Sequence, residues 1–243
     1  QIREGKHSMK IAIMQPYLFP YIGYFSLIKN TDFFVFFDTP QYIRKGWINR
    51  NRILSANGDI TYFTVPIQKA DRDTPINKII VSNNYDWKMK TLGQLNIYKK
   101  APNYGRVIDL VKGIFNTDTM LISDLAIRSI VKTCDYLEIN MQYDIFSKMN
   151  LLLPPVKEPD EWALYITKEL GYDTYVNPPG GMSFFNREKY QDNNIDLQFL
   201  VQEITPYIQN RNRFIPALSI IDVMMFCSCG EINEMLCKYQ IER

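Results

Sequence analysis

Two short segments concentrate the side chains best equipped for chemistry. The first, QPYLFPYIGY (Gln15–Tyr24), sets one glutamine among two prolines, one glycine and four aromatic rings. Proline fixes the backbone and removes a donor, so the turn is stiff. Tyr17, Phe19, Tyr21 and Tyr24 offer flat faces, and the tyrosines add polar tips. Gly23 permits close backbone approach. Some of these rings belong under a sheet as ordinary packing. Gln15 is harder to explain that way, because it is polar at the end of an apolar strand and stands directly before a proline. The second segment is FDTPQYIRKGWINRNRIL (Phe37–Leu54). Within nine residues it carries Arg44, Lys45, Arg50 and Arg52, with Trp47 between them and Tyr42 just ahead. Asn49 and Asn51 alternate with the last two arginines. Guanidinium groups bind phosphate or carboxylate oxygens in bidentate fashion, and aromatic rings stack on sugars or bases. The plain alternative is a solvated basic loop or strand edge. Asp38 opens this segment. It could take a proton from an amine, hold a sugar hydroxyl or bind a metal, or it could cap the following turn, as Asp-x-Pro often does.

These residues need elements to position them. Residues 10–15 form an apolar run ended by Pro16, and FFVFF (Phe33–Phe37) forms another, ended by Asp38-Thr39-Pro40. Between them Ile22, Phe25, Leu27 and Ile28 fall at helical spacings. Two buried strands joined through a helix make a parallel βαβ unit. Ligands of such sheets bind beyond the carboxyl ends of the strands. Gln15–Pro20 and Asp38–Gln41 are those ends, and they are expected side by side. Further strands are expected at Ile60–Ile67, Ile76–Ser82, Leu137–Phe146 and Asp196–Ile204, and Thr174–Phe185 reads as a strand running into a Pro-Pro-Gly-Gly turn. Helices are expected at 86–98, 104–116, 118–133 with Asp118 as cap, 159–171 and Ala217–Ser228. The fold class is α/β, a Rossmann-like, mostly parallel sheet with a helix-rich middle section. Residues 9–243 read as a single domain: 9–85 as the α/β half with the site, 86–171 as the helix-rich section, and 172–243 as returning strands and a C-terminal helix. Pro178-Pro179-Gly180-Gly181 is a rigid-then-permissive turn suited to closing on a ligand.

Composition excludes several chemistries. The first eight residues, QIREGKHS, read as the remnant of an expression tag ahead of Met9, and they hold the sole histidine, His7. Without it, histidine triads, histidine bases and histidine metal sites are ruled out. The formal net charge is +2, so anion recognition must be local and nucleic acid is not an expected partner. No apolar run approaches the roughly 18–20 residues of a membrane span, and no secretory signal is evident, which points to the cytoplasm. Cys134, Cys227, Cys229 and Cys237 include no C-x-x-C pair, and they are expected as reduced cysteines near a buried C-terminal helix. No metal site is expected. Asp222, within an apolar helix, needs a partner if buried, while Arg211 and Arg213 before it could add anion contacts.

MQPYLFPYIGYFSLI, FVFFDTPQY, WINRNRI, NPPGG and FIPALSIIDVMMF, in that order, resemble the WbqC-like proteins from Met9 to near the C-terminus. The resemblance implies a bacterial role in O-antigen and other surface-polysaccharide biosynthesis, with aminoacyl (glycyl) transfer to an amino sugar as the suggested activity. A second likeness is to the nucleotidyltransferase and pantothenate-synthetase type of α/β domain. Its His-x-Gly-His motif is replaced here by Tyr21-Ile22-Gly23-Tyr24, which keeps the fold and removes the cationic groups that adenylyl transfer uses.

The expected function is therefore a transferase acting on a nucleotide-linked amino sugar. Asp38 is the expected catalytic residue. Gln15, Tyr17, Tyr21, Tyr24, Gln41, Tyr42, Arg44, Lys45, Trp47, Asn49, Arg50, Arg52, Gly180 and Gly181 are the expected substrate-binding set, with the arginines and lysine on the diphosphate. One alternative is an enzyme resembling a nucleotidyltransferase or ATP-dependent ligase, using ATP and Mg. Another is a sugar-binding or scaffolding protein without catalysis.

Overall fold

The computed structural model describes residues 8–209 and 213–243. Six strands form the main sheet: β1 (Lys10–Met14), β2 (Phe33–Phe36), β5 (Tyr143–Ile145), β6 (Thr174–Asn177), β7 (Asp196–Gln202) and β8 (Tyr239–Glu242). Their order is β5-β2-β1-β6-β7-β8, and every pair is parallel except β7 with β8. The expected mixed α/β fold with a mostly parallel sheet is what the chain forms. β1 pairs with β2 in the register Met14↔Phe36, so the two strands end together.

Alternation along the strands supplies two cores, because successive side chains of a strand point to opposite faces. Ala12, Phe34, Phe36 and Leu200 face the larger core, while Ile11, Ile13, Val35 and Phe199 face the smaller one. The larger core is covered by α1 (Ile22–Lys29), α3 (Tyr104–Phe115), α4 (Ile122–Tyr136), α7 (Ile220–Phe226) and α8 (Cys229–Leu236). α2 (Trp87–Leu95) joins them through Trp87 and Leu95. α5 (Glu161–Glu169) and α6 (Arg187–Asp192) cover the other face. Side-chain caps set several helix starts: Asp86 for α2, Asn186 for α6, Ser219 for α7, and a reciprocal Ser228–Glu231 box for α8.

A separate antiparallel hairpin, β3 (Arg50–Leu54) with β4 (Ile60–Thr64), packs against the larger core through Ile53, Leu54 and Phe63. Gly58, at φ 86°, takes the left-handed position of its turn. Sequence reading placed a strand over Ile76–Ser82. The chain instead makes a single 3₁₀ turn at Ile76–Lys78 and then two isolated bridges, Ile67↔Val81 and Ile80↔Leu121. The second bridge also delays α4. Leu121 stays extended to pair with Ile80, so the helix begins at Ile122, and Asp118 is not its cap.

The turn after β1 is the most constrained part of the fold. Phe19 is fully buried at φ 42°, a region that a bulky residue enters at a cost of about 1–3 kcal/mol. Three elements hold it there. The Phe19 amide donates to Ser129 Oγ of α4 at 3.0 Å, and its carbonyl accepts from Asn51 Nδ2 of β3 at 3.0 Å and from Ser219 Oγ at 2.7 Å. Asn51 Nδ2 also reaches the Leu18 carbonyl at 3.0 Å, and the Leu18 amide donates to the Trp47 carbonyl. The Phe19 ring meets Phe63 and Phe115 edge-on. Replacing Asn51 by Ala strands two buried carbonyl contacts and is expected to cost about 1–3 kcal/mol, measured as a lower urea midpoint. An unchanged midpoint would show that the turn holds its shape without this side chain.

Candidate functional site

The carboxyl ends of β1, β2 and β6 open into one cleft of about 910 Å³, within the roughly 300–1,000 Å³ range of small-molecule sites. Gln15 and Tyr17 border it from β1, Thr39–Gln41 from β2, and Asn177 with Gly180 and Gly181 from β6. Trp162 of α5 and the Phe184-Phe185 pair form its aromatic walls. No lining side chain carries a charge.

The walls are braced from behind. Trp162 packs on Phe37 and Phe146, with ring centroids 5.6 and 5.8 Å away. Phe185 packs on Tyr175 at 5.5 Å. Lys189 of α6 reaches Asp160 Oδ1 at 2.7 Å and Glu161 Oε1 at 3.5 Å, tying α6 to the start of α5. The amides of Glu158 and Lys157 donate to Glu161 and hold its carboxyl below the ordinary range. The polar groups of the cleft differ in commitment. Asn177 Oδ1 accepts from Tyr175 Oη at 2.9 Å, and its Nδ2 donates to the Pro178 carbonyl at 3.1 Å. Gln41 Nε2 donates to the Arg72 carbonyl at 2.6 Å. The Gln15 side chain makes no hydrogen bond among the described residues, so both ends of its amide are available.

The residues singled out in the sequence divide among several places. Gln15, Tyr17, Gln41, Gly180 and Gly181 meet at the cleft. Asp38 is buried outside its lining, and its carboxylate accepts from the Ser147 amide at 3.0 Å and from Ser147 Oγ at 2.6 Å. That is a pinning role between β2 and the turn after β5. Tyr24 is a core residue whose hydroxyl donates to the Gln15 carbonyl at 2.9 Å. Tyr42 and Asn49 are buried against each other, with Tyr42 Oη donating to Asn49 Oδ1 at 2.8 Å.

The basic segment does not face the cleft as one patch. Arg44 donates to the Ala70 carbonyl at 3.1 Å beside a separate surface groove, and Lys45 is exposed at φ 61°. Arg50 bonds the Gly46 and Lys45 carbonyls and covers the Tyr62 ring. Arg52, Trp47 and Tyr21 border a second, smaller hollow, which Tyr17 shares with the cleft. The reason is the hairpin. In β3 the side chains alternate, so Asn51 and Ile53 turn inward while Arg50 and Arg52 turn outward. Arg211 lies outside the described residues. Arg213 borders another surface hollow with Asn57–Ile60.

Asp222 is fully buried and accepts from Tyr98 Oη at 2.7 Å, Gln209 Nε2 at 2.8 Å and Tyr207 Oη. Burial raises its carboxyl above the ordinary value against the pull of these donors. Cys134 and Cys227 are buried, and desolvation pushes both thiols up to about 12, so neither is a ready nucleophile. Among the described residues no three His, Cys, Asp or Glu side chains converge as a metal site. None of the described helices is long and apolar enough to cross a membrane.

Trp162, Asn177, Phe184 and Phe185 were missed in the sequence. Asn177 had a usable signal, since it repeats the arrangement of Gln15: a polar amide closing a buried strand just before a proline. Trp162 had none, because its helix reaches the cleft only through the packing of α5 on the sheet.

The WbqC-like protein family matches residues 15–234, which include every lining residue of the cleft except Ile13 and Met14. The chain belongs to this family. One relative, described as the uncharacterized protein Rv1507c of Mycobacterium tuberculosis, is 26% identical over 221 residues, covering 88% of this chain and 92% of its own. No solved structure matches the chain significantly. In this WbqC-like chain the two motifs flanking the cleft, QPYLFPYIGY and NPPGG, therefore fall within the matched segment and meet in space.

Two outcomes test this geometry. Asp38→Ala is expected to lower stability by about 1.5–3 kcal/mol in urea unfolding, since Ser147 loses a charged acceptor. A fully stable variant would free Asp38 for another role. At Gly181 a Cβ would collide with Asn177 Nδ2 and lie 2.8 Å from the Phe185 ring, whereas at Gly180 it meets nothing within 4 Å. Gly181→Ala is thus expected to reshape the cleft and to shift aromatic ring signals in NMR spectra, and Gly180→Ala to leave them in place.

Proposed function

We propose that the cleft binds the sugar ring of a nucleotide-linked amino sugar, and that the protein tailors this sugar by N-acyl, including aminoacyl, transfer in surface-polysaccharide (O-antigen) biosynthesis. The observation that carries the reading is an uncharged cleft at three parallel strand ends, walled by Trp162 and Phe184-Phe185 and fitted with the open amide of Gln15. Aromatic faces suit the C–H faces of a sugar ring, and a carboxamide can both donate to and accept from its hydroxyls. Membership of the WbqC-like family supports the assignment to this class of pathway.

Acyl transfer to the amino sugar forms an N–C bond and breaks the bond between acyl group and donor. The amine sheds its proton to solvent or to the departing group. No carboxylate borders the cleft, so in this reading the protein contributes chiefly by positioning amine and donor at reacting distance, a term worth several kcal/mol. The same absence favours a second reading, binding of the sugar without chemistry.

Calorimetry with nucleotide-linked amino sugars against the bare nucleoside diphosphates tests the binding claim. The sugar conjugates are expected to bind at least tenfold tighter, with the advantage lost in Trp162→Ala, a difference of about 1.4 kcal/mol. Equal affinity for conjugate and bare nucleotide would end the reading. Mass spectrometry after incubation with amino acids plus ATP, or with acyl-CoA donors, separates the two versions. A mass increase on the sugar supports transfer, and tight binding without it supports the binding role.

A further inference from the structure

The smaller hollow beside the cleft has a different character. It measures about 220 Å³ and is bordered by Tyr17, Pro20, Tyr21, Trp47, Arg52 and neighbours on β3 and before α7. Arg52 is its cation. One terminal nitrogen donates to the Ala217 carbonyl at 2.6 Å, and the guanidinium carbon lies 5.3 Å from the centre of the Trp47 ring. Its Nε is buried with no partner, and among the described residues no carboxylate approaches within ion-pair distance. A partly buried, uncompensated guanidinium is costly unless something neutralises it.

The surroundings supply further donors. Neither the Tyr17 nor the Tyr21 hydroxyl makes a hydrogen bond among the described residues. Burial raises both phenols above their ordinary value, so both keep their protons at neutral pH. The other two arginines of the segment are engaged elsewhere, and Lys45 is exposed and does not border the hollow. Arg50 bonds two carbonyls and stacks on Tyr62, and Arg44 bonds the Ala70 carbonyl next to a different groove.

We infer that the Arg52–Trp47–Tyr21 hollow is an anion subsite that takes the phosphoryl group of the ligand whose ring occupies the neighbouring cleft. The inference rests on the cleft reading for the identity of the ligand, but not for the existence of the subsite. The cleft offers no cation to a phosphate, and the hollow offers a guanidinium with one terminal nitrogen uncommitted among the described residues for a charge-assisted hydrogen bond to a phosphate oxygen. Tyr17 borders both, so a phosphoryl group and the group attached to it could occupy the two sides of one ring.

Inorganic pyrophosphate, which has no sugar, probes the hollow alone. Titrated into the full chain and followed by calorimetry and tryptophan fluorescence, it is expected to bind with a salt-sensitive affinity. Arg52→Gln should weaken that binding at least tenfold, Arg52→Lys should restore part of it, and Arg50→Gln should leave it unchanged. Absence of pyrophosphate binding, undiminished binding in Arg52→Gln, or equal losses in Arg50→Gln and Arg52→Gln would each overturn the proposal. Should Arg52→Gln not fold, Tyr21→Phe keeps the guanidinium and is expected to lose affinity severalfold, and no loss there counts against the subsite. If pyrophosphate binds through Arg52 while nucleotide-linked sugars gain nothing over it, the subsite stands and the cleft reading falls.

Discussion

The hydrogen bonds that hold Phe19 in the left-handed region are the constraint on which the rest of this structure depends. A phenylalanine does not choose that backbone conformation, and it stays there because Ser129, Asn51 and Ser219 reach it from α4, β3 and α7. The turn they fix carries Gln15 and Tyr17 at one end and Tyr21 at the other. Both openings at this end of the sheet are therefore bordered by residues of one turn, locked to three other elements. The prolines stiffen the turn locally, and the distant side chains decide its shape.

This arrangement explains why polar residues sit inside the larger core. Asn51 occupies an inward position of β3 where a valine would satisfy the strand pattern, yet a valine could not bond the Leu18 and Phe19 carbonyls. Ser219 does two things at once, since its hydroxyl donates to the Phe19 carbonyl and accepts from the Ile221 amide at the start of α7. A strained residue persists only where its surroundings over-determine it, and these buried amides and hydroxyls do so for Phe19. The turn so held carries Tyr17, the residue that borders both the cleft and the hollow.

The parallel core of the sheet was legible because both faces of β1 and β2 are buried, which writes near-continuous apolar runs into the sequence. The juxtaposition of Gln15 with Gln41 followed from that topology alone. What failed to show were features whose cause lies far away in the chain. β3 was read as a basic patch because its inward Asn51 is polar. α8 escaped notice although Ser228-x-x-Glu231 is a capping box, since the apolar stretch before it suggested one helix rather than two. Asp38 illustrates the same limit for function. Its type and place suited a base, and only the packing of the turn after β5 reveals Ser147 as the partner of its carboxylate.

The distribution of charge carries the argument furthest. A net charge near balance does not describe this end of the molecule, where a cleft without any charged lining adjoins a hairpin bearing Arg50 and Arg52. Trp47, just before β3, stacks on Tyr62 of β4, and the guanidinium carbons of Arg50 and Arg52 lie 4.4 and 5.3 Å from the Tyr62 and Trp47 ring centres. Restrained by a ring and by backbone carbonyls, a guanidinium loses less freedom on meeting an anion than an unrestrained one does. On the proposed reading, the uncharged ring of a ligand sits in the cleft and its anionic group beside Arg52, so that one turn borders both halves of the ligand.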